Sequence, residues 1–266
     1  MLRATMTPRS YLFVPGDRPE RFAKALAAGA DAVIVDLEDA VGPAAKSAAR
    51  DAVATWLDGP AAAPVLLRIN AAGTPWFDDD RRLCRHPRVH GVVVPKAEDA
   101  DALAAVPAKP VLPLIESAAG FDAVRTLARV RGVARLVFGS IDFQADLGIE
   151  GDDDALLFFR SQLVLASRLA GVEAPVDGVT TTIDDAEAVA RDTARARRLG
   201  FGAKLCIHPR QVAAVNAGFQ PTPQELDWAR RVLAAAGAAG GAAVQVDGRM
   251  VDAPVLLRAQ RLLARA

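Results

Sequence analysis

The sequence has few cysteines, histidines and aromatic residues, and it carries no net charge. Its 266 residues include two cysteines, three histidines and 5% aromatic residues, and 32 basic residues balance 32 acidic ones. Cys84 and Cys206 lack the CxxC spacing or histidine pair of a zinc or redox motif, which predicts two reduced thiols with no nucleophilic role. No aromatic-interleaved run of lysine and arginine is present, so we expect no nucleic-acid partner.

Two kinds of segment are also missing. The first residues, MLRATMTPRS, have no apolar stretch typical of a secretion signal, and no apolar run is long enough to span a bilayer. We therefore expect a cytoplasmic protein without a membrane partner. An open doubly wound sheet would require a glycine-rich phosphate loop, and the sequence has none.

What is present is a repeated alternation of short apolar strands and alanine-rich helical stretches. Because the strands are apolar on both faces, they are typical of a parallel sheet covered by helices. Eight such units predict an α/β protein with a (β/α)8 TIM barrel. The predicted strands are Tyr11–Pro15, Ala32–Leu37, Val65–Asn70, Gly91–Lys96, Val111–Glu116, Leu136–Ser140, Val176–Thr180 and Ala203–Ile207. The predicted helices are approximately 18–28, 43–57, 76–84, 98–105, 120–130, 154–170, 184–198 and 209–216.

A C-terminal segment follows the eighth unit. We predict a catalytic barrel over residues 1–220 and a helical extension over 221–266, with a capping box formed by Thr222 and Glu225 at the start of its first helix. Residues 237–248 are expected to be a Gly/Ala-rich loop before an amphipathic helix over 251–266. Such a helix usually packs on a neighbouring subunit or on its own barrel, so we expect the extension to lie at a subunit interface. Its apolar face consists of Val255, Leu256, Ala259, Leu262 and Leu263.

Glu116 ends the apolar stretch LPLIESAAG (112–120), and Asp142 follows the next predicted strand. Burying an unpaired carboxylate is costly, so Glu116 is expected to face a cation or hydrogen-bond donors. Since active sites of TIM barrels lie where the strands end, both carboxylates can face one point and hold Mg²⁺ together with waters and substrate. The alternatives are an ion pair between Glu116 and a buried cation, and a capping role for Asp142.

Three other strand ends carry candidate functional residues. Gly139 and Ser140 end strand six, where backbone N–H groups can bind a carboxylate, although an ordinary strand-to-loop turn is the alternative. DLEDAV (36–41) places three carboxylates close together, and their mutual repulsion is relieved by a metal with its waters, or by Arg9, Arg68 or Lys96. Arg68 suits carboxylate binding or enolate stabilisation. A Schiff-base role for Lys96 is not favoured, and His208 is assigned a structural role.

Eight sequence strings together resemble the citrate lyase beta-subunit family, within the HpcH/HpaI aldolase and citrate lyase superfamily, which includes citramalyl-CoA and malyl-CoA lyase relatives. They run in family order over nearly the whole chain. The strings are RSYLFVPG (9–16), DLEDAV (36–41), LRIN (67–70), VVVPK (92–96), LIESAAG (114–120), VFGSIDFQADLG (137–148), GAKLCIHPRQV (202–212) and GRMVDAP (248–254).

The resemblance implies roles for individual residues. It implies that Glu116 and Asp142 bind Mg²⁺ and that Arg68 binds substrate. The carboxylates of DLEDAV add Glu38 and Asp39 as residues that would bind waters of this metal. Phe13 and Lys24 fall at positions that contact the acyl carrier, and the amides of Gly139 and Ser140 at the positions that bind the substrate carboxylate. Asp252 matches an aspartate that relatives deliver from the C-terminal segment of an adjacent subunit, and it is therefore predicted to be a catalytic residue that transfers a proton. The alternative for Asp252 is a helix N-cap. Where relatives commonly have a cation near position 20, this chain has Glu20, and Arg18 or Arg21 can substitute.

The implied activity is Mg²⁺-dependent cleavage of a 3-hydroxy-acid acyl-CoA thioester to acetyl-CoA and a 2-oxo acid, by a homotrimer or hexamer. The thioester is of the citramalyl-CoA, malyl-CoA or citryl-CoA type, and no motif selects among them. The alternatives are a citryl-thioester lyase subunit that requires an acyl-carrier partner and a CoA-independent pyruvate aldolase. Such aldolases usually have a basic histidine early in the barrel, whereas the first histidine here is His86.

Overall fold

The computed structural model describes residues 7–60, 63–107, 109–238 and 244–264. They separate into two compact units, Met1–Asn216 and Ala217–Ala266. In the first unit eight parallel strands close into a barrel in sequential order, and β1 pairs with β8. The strands are β1 (Ser10–Pro15), β2 (Ala32–Asp36), β3 (Val65–Arg68), β4 (Val89–Val94), β5 (Val111–Ile115), β6 (Arg135–Phe138), β7 (Glu173–Asp177) and β8 (Ala203–Cys206). The predicted TIM barrel is confirmed.

Helices follow the strands along the barrel. They are α1 (Phe22–Leu26), α2 (Lys46–Asp58), α3 (Phe77–Leu83), α4 (Ala100–Ala104), α5 (Ala118–Asp122), α6 (Val124–Leu127), α7 (Ser140–Leu147), α8 (Leu157–Ala170), α9 (Ala186–Leu199) and α10 (Pro209–Phe219). α2 shows why these segments are helical, because Ala49, Val53 and Leu57 recur every four residues and are buried. No helix in the described part of the chain is both long and apolar enough to cross a membrane.

The barrel core is aliphatic, as the low aromatic content predicts. Alternate residues of the strands, such as Ile34, Val93, Leu114, Val176 and Leu205, pack into one buried cluster. The predicted strands match the observed ones except at their ends. Several predicted strands included the polar residues after the last ladder position, and these residues lie in the loops at the carboxyl end of the barrel.

One stretch of the barrel differs in kind from its prediction. Gly139 and Ser140 were predicted to end a strand, with an ordinary strand-to-loop turn as the alternative to a carboxylate-binding role, but the strand ends at Phe138 and α7 begins at Ser140. Gly139 is the N-cap, and Gly148 ends the helix with φ +65°. The sequence SIDFQADL lacks a strong helix signal, so only the αL-favouring glycine marks its end.

The second unit contains α11 (Pro223–Ala238), a hairpin of β9 (Val244–Val246) and β10 (Arg249–Val251), and α12 (Ala253–Leu263). The capping box is confirmed, because the Thr222 N–H donates to Glu225 Oε2 (2.8 Å) and the Glu225 N–H donates to Thr222 Oγ1 (3.1 Å). The loop predicted over 237–248 is wrong for residues 244–246, which pair with β10. Its earlier part, 239–243, lies outside the described residues.

The hairpin turns at Asp247 and Gly248, whose φ angles of 53° and 74° fit a two-residue turn that favours the Asp-Gly pair. The apolar face of α12 packs on α11, since Ala259 and Leu262 form a buried cluster with Ala229 and Val232. The proposed position of the extension at a subunit interface stays a prediction.

Candidate active site

A cavity of about 320 Å³ opens where the barrel strands end. It collects most of the residues predicted from the sequence, which lie at the ends of four different strands or, for Phe13, within β1. Those that line it are Phe13, Asp39, Arg68, Glu116, Gly139, Ser140 and Asp142, together with Asp36. Glu38 is buried next to Arg68, Lys24 lines a neighbouring cavity, and Asp252 lies in the second unit.

Glu116 is the most perturbed carboxylate of this cavity. It is 2% exposed, and its Oε1 accepts a hydrogen bond of 2.7 Å from the backbone N–H of Lys96. Lys96 has a left-handed φ of 44°, a conformation that non-glycine residues rarely adopt and that orients this N–H towards Glu116. Oε2 of Glu116 is buried and has no hydrogen-bond partner in the described part of the chain. Burial raises the pKa of Glu116 to about 8, and the charges of Glu38 and Asp142 add to the increase.

Gly139 allows Glu116 to occupy this position. A Cβ atom at residue 139 would lie 2.6 Å from Cβ and 2.7 Å from Oε2 of Glu116, so a side chain there would displace the carboxylate. Gly139 is also the N-cap of α7, whose first turn holds Asp142. The missed helix therefore determines how the second carboxylate reaches the cavity. Of the two backbone amides predicted to bind a carboxylate, that of Gly139 donates instead to the carbonyl oxygen of Ile115 at 3.0 Å.

These residues fit a divalent cation. A buried carboxylate oxygen without a partner, close enough to a second carboxylate for their charges to repel, is a site that a cation would stabilise. No group of three or more histidine, cysteine, aspartate or glutamate residues that could hold a metal occurs among the described residues. Two protein carboxylates with waters and substrate match the preference of Mg²⁺, which commonly retains several waters.

Arg68 neutralises the acidic cluster at the end of β2. Its Nε and Nη2 atoms lie 2.8 and 2.5 Å from the two carboxylate oxygens of Asp36, and Nη1 lies 3.1 Å from Glu38 and 3.3 Å from Asp39. The guanidinium carbon lies 4.8 Å from the centre of the Phe13 ring. Burial alone would lower the pKa of Arg68, but the bonds and charge of Asp36, and then the charges of Glu38 and Asp39, raise it.

The cations predicted to relieve the repulsion within the DLEDAV carboxylates (36–41) were only partly right. Lys96 contributes, because its Nζ lies 2.7 Å from Glu38 Oε1. Arg9 does not, because it forms an ion pair of 2.8 Å with Asp31 near the opposite end of β1. The ion-pair alternative for Glu116 is not observed among the described residues, where the backbone N–H of Lys96 binds its carboxylate.

The sequence analysis missed two buried residues that support the loop after β2. Lys46 Nζ donates to the carbonyl oxygens of Leu37 (2.9 Å) and Glu38 (2.7 Å). Asp80 accepts from both the backbone N–H and the side chain of Asn70, at 2.9 and 2.6 Å. Lys46 begins a helix and Asp80 lies in a DDD run, and both patterns are typical of solvent-exposed positions. Only the tertiary fold shows that they are buried.

A second cavity of about 370 Å³ adjoins the first, because Phe13, Pro15 and Ile207 line both. Arg21 and Lys24 line this second cavity, as does His208. Of the two cations that could substitute for the one replaced by Glu20, Arg21 therefore lines the cavity next to Lys24. An anionic ligand in the second cavity would lie directly beside the acidic site in the first.

Asp252 caps α12, as the alternative assignment predicted. Its Oδ1 accepts a hydrogen bond of 3.2 Å from the backbone N–H of Val255, and its side chain is exposed. An exposed carboxylate at a helix start satisfies backbone donors and still has a second oxygen free for chemistry. The catalytic role of Asp252 stays a prediction.

The raised pKa of Glu116 predicts that metal binding releases a proton. Below pH 8 the carboxyl is largely protonated, and a cation binds only its ionised form. At pH 7 we expect release of ~1 proton per Mg²⁺ bound, with release decreasing and affinity increasing as the pH rises through 8. Calorimetry of Mg²⁺ binding in buffers of different ionisation enthalpy measures this number. A binding enthalpy independent of the buffer at pH 7 would contradict the prediction.

The chain is similar to known proteins of one family. Residues 9–209 match the family HpcH/HpaI aldolase/citrate lyase. A citrate lyase subunit beta-like protein of Deinococcus radiodurans is 40% identical, with 96% of each chain covered. A (3S)-malyl-CoA thioesterase of Cereibacter sphaeroides is 32% identical, over 97% of this chain and 94% of the relative.

Two solved structures of Mycobacterium tuberculosis proteins are also similar. The protein CitE in complex with magnesium, acetoacetate and coenzyme A superposes with a TM-score of 0.88 at 35% identity, covering 98% of this chain and 99% of that one. A citrate lyase beta subunit complexed with oxaloacetate and magnesium superposes with a TM-score of 0.72 at 33% identity, covering 82% and 99%.

Proposed function

We propose a specific lyase reaction for this chain, which belongs to the HpcH/HpaI aldolase/citrate lyase family and is an enzyme of that family. The reaction is Mg²⁺-dependent cleavage of a 3-hydroxy-acid acyl-CoA thioester, of the citramalyl-CoA, malyl-CoA or citryl-CoA type, to acetyl-CoA and a 2-oxo acid. The observation that carries the proposal is the buried, unpartnered Oε2 of Glu116 close to Asp142, in a cavity adjoining a second one with two cations. A relative that binds magnesium together with coenzyme A supports this combination.

Glu116 and Asp142 would hold the metal. Mg²⁺, when bound, supplies Lewis-acid polarisation of the substrate oxygen that becomes the ketone and orients the substrate. The chain itself keeps Glu116 in place through the Lys96 N–H and the absence of a side chain at Gly139. Glu38 and Asp39 would bind waters of the metal, and Arg68 fixes both of them through its ion pairs.

The remaining residues would act on the organic substrate. The backbone N–H of Ser140, the first residue of α7, would bind the substrate carboxylate. As the substrate hydroxyl loses its proton to solvent water, the carbon–carbon bond breaks and its electron pair forms an acetyl-thioester enolate. Arg68 would stabilise the negative charge that develops, and Asp252 would donate a proton to the enolate carbon.

The second cavity would take the thioester arm. Phe13 lies on the wall common to both cavities, so it would contact the acyl end of the arm, and Lys24 and Arg21 would bind its anionic groups. Glu20 lies next to Arg21 at 3.9 Å, which is a weak exposed contact that leaves the arginine available. We propose that the enzyme is cytoplasmic. We also propose that it forms a homotrimer or hexamer, and light scattering on the purified protein tests this oligomeric state.

Incubation of the purified protein with Mg²⁺ and a panel of acyl-CoA thioesters tests the proposed reaction. We expect stoichiometric acetyl-CoA and 2-oxo acid from at least one thioester, loss of activity with a chelator, and recovery on adding Mg²⁺. Separate detection of free CoA distinguishes thioester hydrolysis, the activity in the name of one relative.

Other outcomes of this assay identify the alternatives. Inactivity on all free CoA thioesters, with activity restored by an acyl-carrier protein, would indicate a lyase subunit. Condensation of pyruvate with an aldehyde, without any thioester cleavage, would indicate a CoA-independent aldolase. Either result would replace the proposed reaction.

A further inference from the structure

The charges that line the first cavity are unevenly distributed. Asp36, Asp39, Glu116 and Asp142 contribute four carboxylates, and Arg68 is the one cation among the described residues of the lining. One divalent cation would leave this space without an excess of positive charge. The cavity can therefore bind the single carboxylate needed for chelation more readily than a substrate with two carboxylates.

Arg68 is not free to bind a second substrate carboxylate. Its guanidinium already contacts Asp36 through two atoms, and its third nitrogen lies between Glu38 and Asp39 at 3.1 and 3.3 Å. The nearby Lys96 Nζ is paired with Glu38 at 2.7 Å. A second substrate carboxylate would have to share either cation with acids that the cation already neutralises, so its charge would be only partly compensated.

The rest of the lining is largely apolar. The part of it that we call the apolar wall is formed by Phe13, Leu114, Val179, Leu205 and Ile207. A methyl group or hydrogen on the reacting carbon fits such a wall, whereas a carboxylate placed against it would lose hydration without gaining a partner. The cavity volume of about 320 Å³ does not exclude either kind of acid, so charge is the discriminating property.

The apolar wall is held in one arrangement by Gln211, which is 2% exposed. Its side-chain oxygen accepts from the N–H groups of Ile207 (2.9 Å) and His208 (3.3 Å), and its NH₂ group donates to the carbonyl oxygens of Thr180 (2.8 Å) and Thr182 (3.2 Å). This amide joins the loops after β7 and β8, which carry Val179 and Ile207. A rearrangement that brought a polar group into the wall would break these buried bonds.

We propose that this cavity selects thioesters whose 2-oxo acid fragment carries one carboxylate and a small uncharged substituent, and that the wall at Ile207 rejects a second carboxylate. The inference rests on the proposed function and narrows it to the citramalyl-CoA and malyl-CoA types over the citryl-CoA type. The relative that binds oxaloacetate is 33% identical, so the preference of this chain depends on the residues of its own lining.

Binding of two matched acids to the Mg²⁺-loaded protein tests the inference without turnover. 2-Oxobutyrate has a methyl group at the position where oxaloacetate has its second carboxylate. By calorimetry with fresh oxaloacetate, we expect 2-oxobutyrate to bind at least ~10-fold more tightly, because an unpaired charge beside an apolar wall costs more than 1.4 kcal/mol. Ile207→Lys, at a position that is 40% exposed, should reverse most of this preference.

Leu169→Lys is the matched control, because it adds the same charge at an exposed apolar position of α8 outside the cavity, and it should leave the ratio unchanged. Equal or tighter binding of oxaloacetate by the unaltered protein would overturn this inference while leaving the proposed reaction intact. An unaltered ratio in Ile207→Lys would overturn the role of the wall. Binding of neither acid in the presence of Mg²⁺ would overturn the proposed function and this inference with it.

Discussion

Replacing Glu116 with glutamine is expected to reduce Mg²⁺-dependent turnover by ~10³-fold or more, because a metal that acts as Lewis acid contributes several kcal/mol to catalysis. The amide retains the oxygen that accepts the Lys96 N–H, so the backbone around residue 96 should keep its conformation. It cannot supply the charge that attracts a cation. Calorimetry should show loss of Mg²⁺ binding in parallel with the loss of turnover.

Stability distinguishes this effect from misfolding. In the metal-free protein the pKa of Glu116 is raised to about 8, so folding favours the protonated carboxyl. Glu116 therefore destabilises the folded protein increasingly as the pH rises from the ordinary pKa of a glutamate towards 8. Glu116→Gln should remove this loss, so its melting temperature at pH 8 without Mg²⁺ should equal or exceed that of the unaltered protein. Glu150→Gln, at an exposed carboxylate, is the matched control and should change neither turnover nor stability. Full Mg²⁺ binding by Glu116→Gln would remove Glu116 from the proposed ligands.

The barrel could be predicted because its signal is local and repeated. Each strand is a short apolar run, and the carboxyl ends of parallel strands must meet at one end of a barrel. That rule brought Glu116, Asp142 and Arg68 to one cavity before any distance was known. The predicted ends of the strands were less accurate. In several strands the prediction ran one or two residues past the last ladder bond, because the sequence does not show where the ladder stops.

Residues whose burial depends on distant partners could not be predicted. Lys46 and Asp80 lie in helices with ordinary charged patterns, and their buried hydrogen bonds are made to segments that precede them by about ten residues. The packing of α12 on α11 likewise depended on which of several apolar faces lay nearest. The hairpin at Asp247 and Gly248 is different, because the Asp-Gly pair was a readable turn signal that the surrounding glycine and alanine obscured.

Variants of Asp252 separate the catalytic role of this carboxylate from its structural role as a helix N-cap. Asp252→Ala should abolish turnover while leaving Mg²⁺ and 2-oxo acid binding intact, because general acid–base groups contribute ~10²–10⁴-fold. The same change removes the N-cap bond to Val255 and should lower the free energy of unfolding by ~1 kcal/mol. Turnover measurements, Mg²⁺ and pyruvate titrations and denaturant unfolding on one preparation provide all three values.

Asp252→Asn separates the two effects, because asparagine caps helices about as well as aspartate but cannot exchange a proton at neutral pH. We expect it to be as inactive as the alanine variant and as stable as the unaltered protein. If Asp252→Asn kept normal turnover, residue 252 would act only as a cap and another group would protonate the enolate. Loss of pyruvate binding in either variant would instead assign Asp252 to substrate binding. Inactivity of both variants, with binding intact and stability lowered only in the alanine variant, is the pattern that a proton-transferring Asp252 requires.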